Sequence, residues 1–427
     1  LNDLILSDAQ AKALRAIKEW FLNGTAVQQV FGLFGYAGVG KSTIVKHVID
    51  DLGLDDEDVM QACFTGKAAY VLQRKSGMPC STIHRLIYHV SEESETLITM
   101  AQNQLDELEQ LARGLAGAER MATDTEISAF RIKLKDMRQP RFRLNPESPV
   151  RDCQLVVLDE VSMVGPDLAA DLLSFEKPIL VLGDPGQLPP IKGAGAFTAQ
   201  EPDVMLTEIH RQAAESAIIR LATMARQGIS IPYGTHDEFV CKMSGAGVTA
   251  AHLLNGGQVI CGMNRTRYAL NNAMRKAAGF NGSALPTGPR EKIICLKNNH
   301  GLGLLNGMFL ELQEIEQIDD VRFLATITTE EGMQIGGKGN DTKLPIYAGH
   351  FLDHETLDPR REERDWKDKK TLIEATFGWA ITCHKAQGSQ WENIIVLDDK
   401  WGRSLEQRAQ WLYTAITRAE SGLVILD

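Results

Sequence analysis

No run of about 18 apolar residues occurs in this 427-residue chain, so no helix is available to cross a membrane. A basic, apolar leader is missing too: the N-terminus reads Leu1-Asn2-Asp3-Leu4, which does not match a secretion signal. It also lacks Met, which leads us to expect a processed or trimmed N-terminus. Cysteine is sparse and unpatterned. Cys63, Cys80, Cys153, Cys241, Cys261, Cys295 and Cys383 are scattered without a C-x-x-C pair, which excludes a disulfide framework and predicts reduced thiols in a cytoplasmic protein. The ten histidines make no ligand pair near a cysteine, so structural zinc is not expected. Positive charge is in deficit, with 45 Lys and Arg against 56 Asp and Glu, a net of −11. That argues against a uniformly basic coat for nucleic acid but leaves room for a local basic groove, because binding follows the local field. The acids cluster in residues 50–58 and 92–109.

Against these absences stands one stretch with a definite chemistry. Gly35-Tyr36-Ala37-Gly38-Val39-Gly40-Lys41-Ser42 fits the phosphate-binding pattern G-x-x-x-x-G-K-[ST] and runs on into Thr43. The apolar run Val30–Phe34 before it reads as a buried strand, and the residues after it have helical spacing. The glycines let backbone N–H groups turn toward phosphate oxygens, aided by the positive end of the following helix. Lys41 is expected to reach the β- and γ-phosphates and Ser42 to hold Mg²⁺. The chain therefore reads as a binder of a nucleoside triphosphate.

Upstream, Ser7-Asp8-Ala9-Gln10 has the form of a helix-capping box. Gln10 either closes that box or recognises an adenine edge, and the two roles are compatible. Downstream, buried strands alternate with helices: residues 59–64, 154–158 and 177–183 are built around apolar runs, as in a parallel sheet covered on both faces. Ligands in such sheets bind at the carboxyl ends of strands. Asp159-Glu160 stands at one such end, suited to a metal-holding carboxylate beside a group that orients water. Gly183–Pro190 stands at the next, where Gln187 can bond both phosphate and water.

The pattern divides the chain. A first α/β domain occupies 1–86 and 145–205, interrupted at 87–144 by a helical hairpin with short flanking strands at 86–90 and 141–144. A second occupies 206–288 and 371–427, with its α/β pattern resuming at 375–382. It is interrupted at 289–370 by short strands and glycine-rich turns, a β-barrel-like insertion. Residues 358–370 read as a charged, solvated linker.

The order of motifs resembles the superfamily 1 helicases, within them the RecD-like branch. The resemblance rests on 35–42, Leu158–Met163, 183–190, 206–212, 382–389 and 413–418, and it spans nearly the whole chain. Lys297-Asn298-Asn299 with Leu305-Asn306-Gly307 is similar to the SH3-like insertion of that branch. It implies an α/β fold of two RecA-like domains with ATP and Mg²⁺ in the cleft between them, a helical or pin insertion in the first and an SH3-like β-barrel in the second. By the same resemblance Lys41, Asp159, Glu160, Gln187, Arg211 and Arg418 carry catalysis, the two arginines reaching the γ-phosphate from the second domain. Gln10, Gly35, Gly38, Val39, Gly40, Ser42, Thr43, His210, Gln387, Gly388 and Gln390 would surround the nucleotide. Asp159 and Ser42 would hold the metal. Thr65, Lys67, Thr82, His84, Thr382 and His384 would lie near single-stranded nucleic acid, although the Thr and His residues also suit local capping.

His210 stands where many relatives stack an aromatic ring on adenine, and Gln390 where some place a ribose-binding glutamate, so base or sugar selectivity is expected to be relaxed. The acidic helical insertion is long and occupies the position of the strand-splitting pin. The resemblance implies a monomeric 5′-to-3′ DNA helicase acting on single strands and duplex junctions, with replication or recombination proteins as partners. The alternatives are an RNA helicase of viral type, a 3′-to-5′ enzyme, or a non-unwinding ATPase subunit of a recombination complex.

Overall fold

The computed structural model describes residues 6–91, 95–137, 141–190, 195–208, 216–280, 283–330, 332–336, 343–352 and 365–427. The first sheet comprises β1 (Val30–Gly35), β2 (Val59–Cys63), β3 (Cys80–Thr82), β6 (Leu155–Asp159), β7 (Ile179–Gly183) and β8 (Val204–Leu206). Their order is β3-β2-β6-β7-β1-β8, and every neighbouring pair is parallel. The continuous apolar runs follow from burial on both faces. Leu180 and Leu182 point into one layer with Phe31, Leu33, Leu155 and Val157, beneath the helices Asp8–Glu19 and Lys41–Leu52. Ile179 and Val181 point into the other with Phe34, Val156 and Leu158, against the helix Pro166–Leu173. Alternation of side chains along each strand thus fills two cores from one sheet.

The helices Glu95–Ala112 and Gly117–Met137 pack on each other through Ile98, Ala101, Leu105, Ile127 and Leu134. They rise from an antiparallel pair, β4 (Tyr88–Ser91) and β5 (Arg141–Leu144), in which Tyr88 opposes Leu144. The strand expected from residue 86 begins later. Leu86 and Ile87 are buried in a short helix, Ile83–Ile87, whose start is capped by Thr82 Oγ1 accepting from the Arg85 amide.

The second parallel sheet contains β9 (Gly234–Asp237), β10 (Val240–Met243), β11 (Gln258–Cys261), β18 (Ala380–Thr382), β19 (Trp391–Leu397) and β20 (Ala419–Leu426). It runs β18-β11-β19-β20-β10-β9, with only the edge strand β9 antiparallel. Between its halves lies an antiparallel sheet of β12 (Glu291–Cys295), β13 (Phe309–Gln317), β14 (Arg322–Thr329), β15 (Gln334–Ile335), β16 (Leu344–Tyr347) and β17 (Ala375–Phe377).

Two expectations change here. Residues 375–382 are not one α/β strand: β17 pairs antiparallel with β12, and only β18, after Gly378-Trp379, joins the parallel sheet. The charged linker is not solvated at every described position, although Asp368 is exposed as expected. Asp365 is buried and accepts a hydrogen bond from the Tyr347 hydroxyl at 3.2 Å, and Trp366–Lys369 is helical. The two sheets are locked by a buried ion pair. Arg275, on the helix Asn264–Ala277, meets Glu291 of β12 at 2.5 Å, with side chains 1% and 0% exposed.

Candidate nucleotide and nucleic-acid sites

The phosphate loop connects β1 to the helix Lys41–Leu52, whose N-cap Gly40 has φ 77°, a left-handed conformation that favours glycine. The Lys41 ammonium donates to the carbonyls of Gly35 at 2.6 Å and Tyr36 at 3.2 Å, and so lies folded across the loop. Gln10 performs the box role and more. Its Oε1 accepts from the Ser7 amide while its Nε2 donates to the Val39 carbonyl at 3.0 Å, which ties the first helix to the underside of the loop. The Val39 side chain is buried in the core, so only its backbone faces outward.

A cavity of about 490 Å³ opens above the loop. The first sheet lines it with Gly38, Gly40, Lys41, Thr43, Asp159, Glu160 and Gln187; Gly388, Gln390 and Arg418 come from the second. Asp159 Oδ1 accepts from the Glu160 amide at 2.7 Å, and Glu160 itself has φ 54°. A non-glycine residue in that region stores about 1–3 kcal/mol of strain, which is a feature of functional turns. Opposite, Arg418 is 4% exposed and each of its three guanidinium nitrogens donates one hydrogen bond. Nε donates to Thr414 O at 3.0 Å, Nη1 to Ser389 O at 3.4 Å and Nη2 to Thr417 Oγ1 at 3.1 Å. The Gly183–Pro190 turn is held from the second sheet's side: Leu188 N donates to Thr414 Oγ1 at 2.9 Å, and Gln387 Nε2 donates to Leu188 O at 3.0 Å.

A second cavity, about 650 Å³, lies beyond the start of the helix Gly66–Ser76. Thr65, Lys67, Thr382, His384 and Gln387 line it, together with Asn264, Arg267, Tyr268, Asn306, His350, Glu374 and Lys385. Burial lowers the pKa of Lys67, His384 and Lys385 from their ordinary values. Glu374 is the opposite case. Burial alone would raise it, but a hydrogen bond from His350 and the charges of Lys369 and His350 bring it down to about 2.

A family model described as an AAA domain matches residues 5–231, more than half of the chain, and one described as a UvrD-like helicase C-terminal domain matches 377–426. The chain is a member of the RecD-like branch of superfamily 1 helicases. It is 26% identical over 450 aligned positions to an ATP-dependent RecD2 DNA helicase of Deinococcus radiodurans, covering 98% of this chain and 50% of that protein. It therefore spans about half the length of that curated relative. In fold it is similar to a Bacteroides Pif1 bound to single-stranded DNA (TM-score 0.52, 18% identity) and to Pif1 helicases at forked duplex DNA (TM-score 0.52, 17% identity), with 99% of this chain and 92% of each of those aligned.

Not every residue singled out in this RecD-like sequence meets the others. Gln387 faces the second cavity rather than the nucleotide cavity. Gly35 and Val39 lie behind the loop surface, outside both linings. Thr82 caps a helix, and His84 sits in an aromatic cluster with Phe64 at 5.9 Å, Tyr88 at 5.7 Å and Phe142 at 5.2 Å, outside the second cavity's lining. His210 and Arg211 lie outside the described residues, as does the Ser42 side chain. Sequence reasoning passed over Asn264, Arg267 and Tyr268. The signal was present: Asn264-Arg265-Thr266-Arg267-Tyr268 follows the carboxyl end of β11, the same strand-end rule that picked out Asp159.

Proposed function

We propose that this chain is an ATP-dependent DNA helicase that moves 5′ to 3′ along single-stranded DNA and opens duplex ahead of it, working as a monomer. The supporting observation is that, among the described residues, Lys67 alone lines both cavities, one built around the phosphate loop and one lined by polar, basic and aromatic groups. An element that borders both is placed to pass a change in one to the other. The direction of travel is taken from the likeness to the RecD-like branch.

Lys41 would leave its carbonyl partners for the β- and γ-phosphates, Glu160 would orient the attacking water, and Gln187 would contact the γ-phosphate. Arg418, with Arg211, would counter the charge that spreads over the transferring phosphoryl oxygens. Asp159 and Ser42 are the residues that would hold Mg²⁺; paired carboxylates beside a phosphate loop suit a hard cation that keeps several waters. When bound, Mg²⁺ would supply neutralisation of the phosphate charge. Thr65, Thr382 and His384 would contact the strand in the second cavity. We assign residues 1–86 and 145–205 to a first RecA-like domain, 87–144 to a pin with its helical cap, and 206–288 with the C-terminal segment to a second. An SH3-like unit starts at 289, and the pairing of β17 with β12 supports ending it at Phe377 rather than at 370.

The deciding measurement is strand displacement from duplexes carrying either a 5′ or a 3′ single-stranded tail. Unwinding from the 5′ tail alone is expected, with none by Lys41→Ala. Opening only the 3′-tailed substrate would overturn the polarity, and faster hydrolysis on RNA than on DNA the choice of strand.

A further inference from the structure

The hydroxyl of Tyr413 joins three parts of the nucleotide cavity that lie far apart in sequence. It accepts the Ala37 amide of the phosphate loop at 2.9 Å and donates to Asp184 Oδ2 at 2.6 Å. Tyr413 is 2% exposed and Asp184 4%, so the bond between them lies where water does not compete. Asp184 also accepts from the Gly186 amide at 2.9 Å, which shapes the turn that presents Gln187. The ring is gripped as well: a Cβ on Gly186 would stand 2.9 Å from Tyr413 Cε1, so only glycine admits this approach. Arg226 lies 3.4 Å above the neighbouring Tyr36 ring, completing a clamp on the loop from the second sheet's helices.

Tyr413 belongs to the helix Leu405–Ile416, and the end of that same helix carries the Thr414 carbonyl that holds Arg418. One rigid element therefore bears the groups that fix Arg418 and the hydroxyl that fixes the Asp184 turn. We infer that Tyr413 is a positioning residue that sets Gln187 and Arg418 in register with the phosphate loop, so that hydrolysis requires its hydroxyl although it touches no reacting atom. The inference rests on the proposed ATPase reading. A nucleotide that pulls Ala37 outward moves the hydroxyl, and through Asp184 the turn bearing Gln187 follows. Burial raises the Asp184 carboxyl, opposed by the Lys41 charge and the Tyr413 hydrogen bond, so this acid depends on its donor.

The test compares the full chain with Tyr413→Phe, Asp184→Asn and the double variant. Steady-state ATP hydrolysis is measured with and without oligo-dT, and a fluorescent ADP analogue is titrated in parallel. Tyr413→Phe removes the bond to the Asp184 carboxylate together with the one from the Ala37 amide, and should lower kcat about tenfold. KM for ATP and the Kd of the ADP analogue should stay within about twofold, because ground-state binding is untouched. The double variant should be no slower than the slower single one. An unchanged kcat, a matching loss of ADP affinity, or additive losses would overturn the inference. Hydrogen exchange provides a readout without turnover: residues 183–190 should lose protection in Tyr413→Phe while residues 155–159 keep theirs, and equal protection in the two proteins overturns it. A wild-type chain that hydrolyses no ATP yet shows this exchange difference would sink the ATPase reading and leave the Tyr413 link standing.

Discussion

The Lys67 ammonium lies 5.1 Å from the centroid of the Trp391 ring and 5.1 Å from that of Phe309. The three residues come from the helix after β2, from β19 and from β13, so one cation lies between elements of both parallel sheets and of the larger antiparallel sheet. A largely desolvated cation–π contact contributes on the order of 2 kcal/mol. Lys67→Met keeps the length of the stem and removes the charge. We expect Lys67→Met and Trp391→Leu each to destabilise the chain and the double variant to show a coupling of about 0.5–2 kcal/mol in urea unfolding. Strict additivity would mean the contact carries no energy.

The phosphate loop, the strand-end carboxylates and the alternation of strands and helices were legible because each is local: a run of residues implies its own backbone and the face it buries. What stayed hidden depended on partners distant in sequence. Nothing near Ala375 announces that β17 pairs with β12 while β18, three residues further on, joins the other sheet, since both runs are equally apolar. Tyr413 stood inside a motif but had no reading, because its two partners lie 376 and 229 residues away. His84 has the residue type of a strand contact, yet the fold spends it on rings that converge only after the β4–β5 hairpin forms. Asp365 reads as one charge among many until Tyr347 turns it inward.

Glu374 gives a pH dependence with a definite sign. Its carboxyl is held at about 2 against an ordinary 4.5, so the native state favours the ionised form. The stabilisation is fully present above pH 4.5 and is lost as pH falls from 4.5 toward 2, where the native carboxylate takes up its proton. The interval corresponds to about 3 kcal/mol as an upper estimate, the side chain being 13% exposed. Acid unfolding of the wild type should steepen in that window, and Glu374→Gln should flatten it while costing stability at neutral pH. An identical acid profile for the variant would rule out this carboxylate as the cause.

Arg275 and Glu291 join the second parallel sheet's helix to the antiparallel sheet, and Arg275 also donates to the carbonyls of Ser283 at 2.7 Å and Leu285 at 2.9 Å. Removing the cation leaves an uncompensated carboxylate in an apolar setting, which costs about 3–5 kcal/mol. Arg275→Met should therefore lower the thermal midpoint by several degrees, and Arg275→Met with Glu291→Met should recover much of the loss. A double variant as unstable as the single one would show that the carbonyl bonds, rather than the charge pair, carry the energy.

Arg418 is the sharper test of the site. Its three hydrogen bonds run to Thr414, Ser389 and Thr417 and fix the guanidinium beside the cavity, so on the proposed reading it would meet a nucleotide at little further entropic cost. An arginine that stabilises phosphoryl transfer is worth roughly 10³ or more in rate. Arg418→Ala should then lower kcat by about that factor with KM for ATP changed little, because the charge redistribution that the guanidinium would stabilise occurs mainly in the transition state. Lysine keeps the charge but has no fork with which to hold three acceptors, so Arg418→Lys should recover less than about a tenth of the lost rate. Single-turnover hydrolysis separates the chemical step from product release. A lysine variant close to wild type would reduce Arg418 to a general positive charge, and the aim that its hydrogen bonds give it would have no part in the rate.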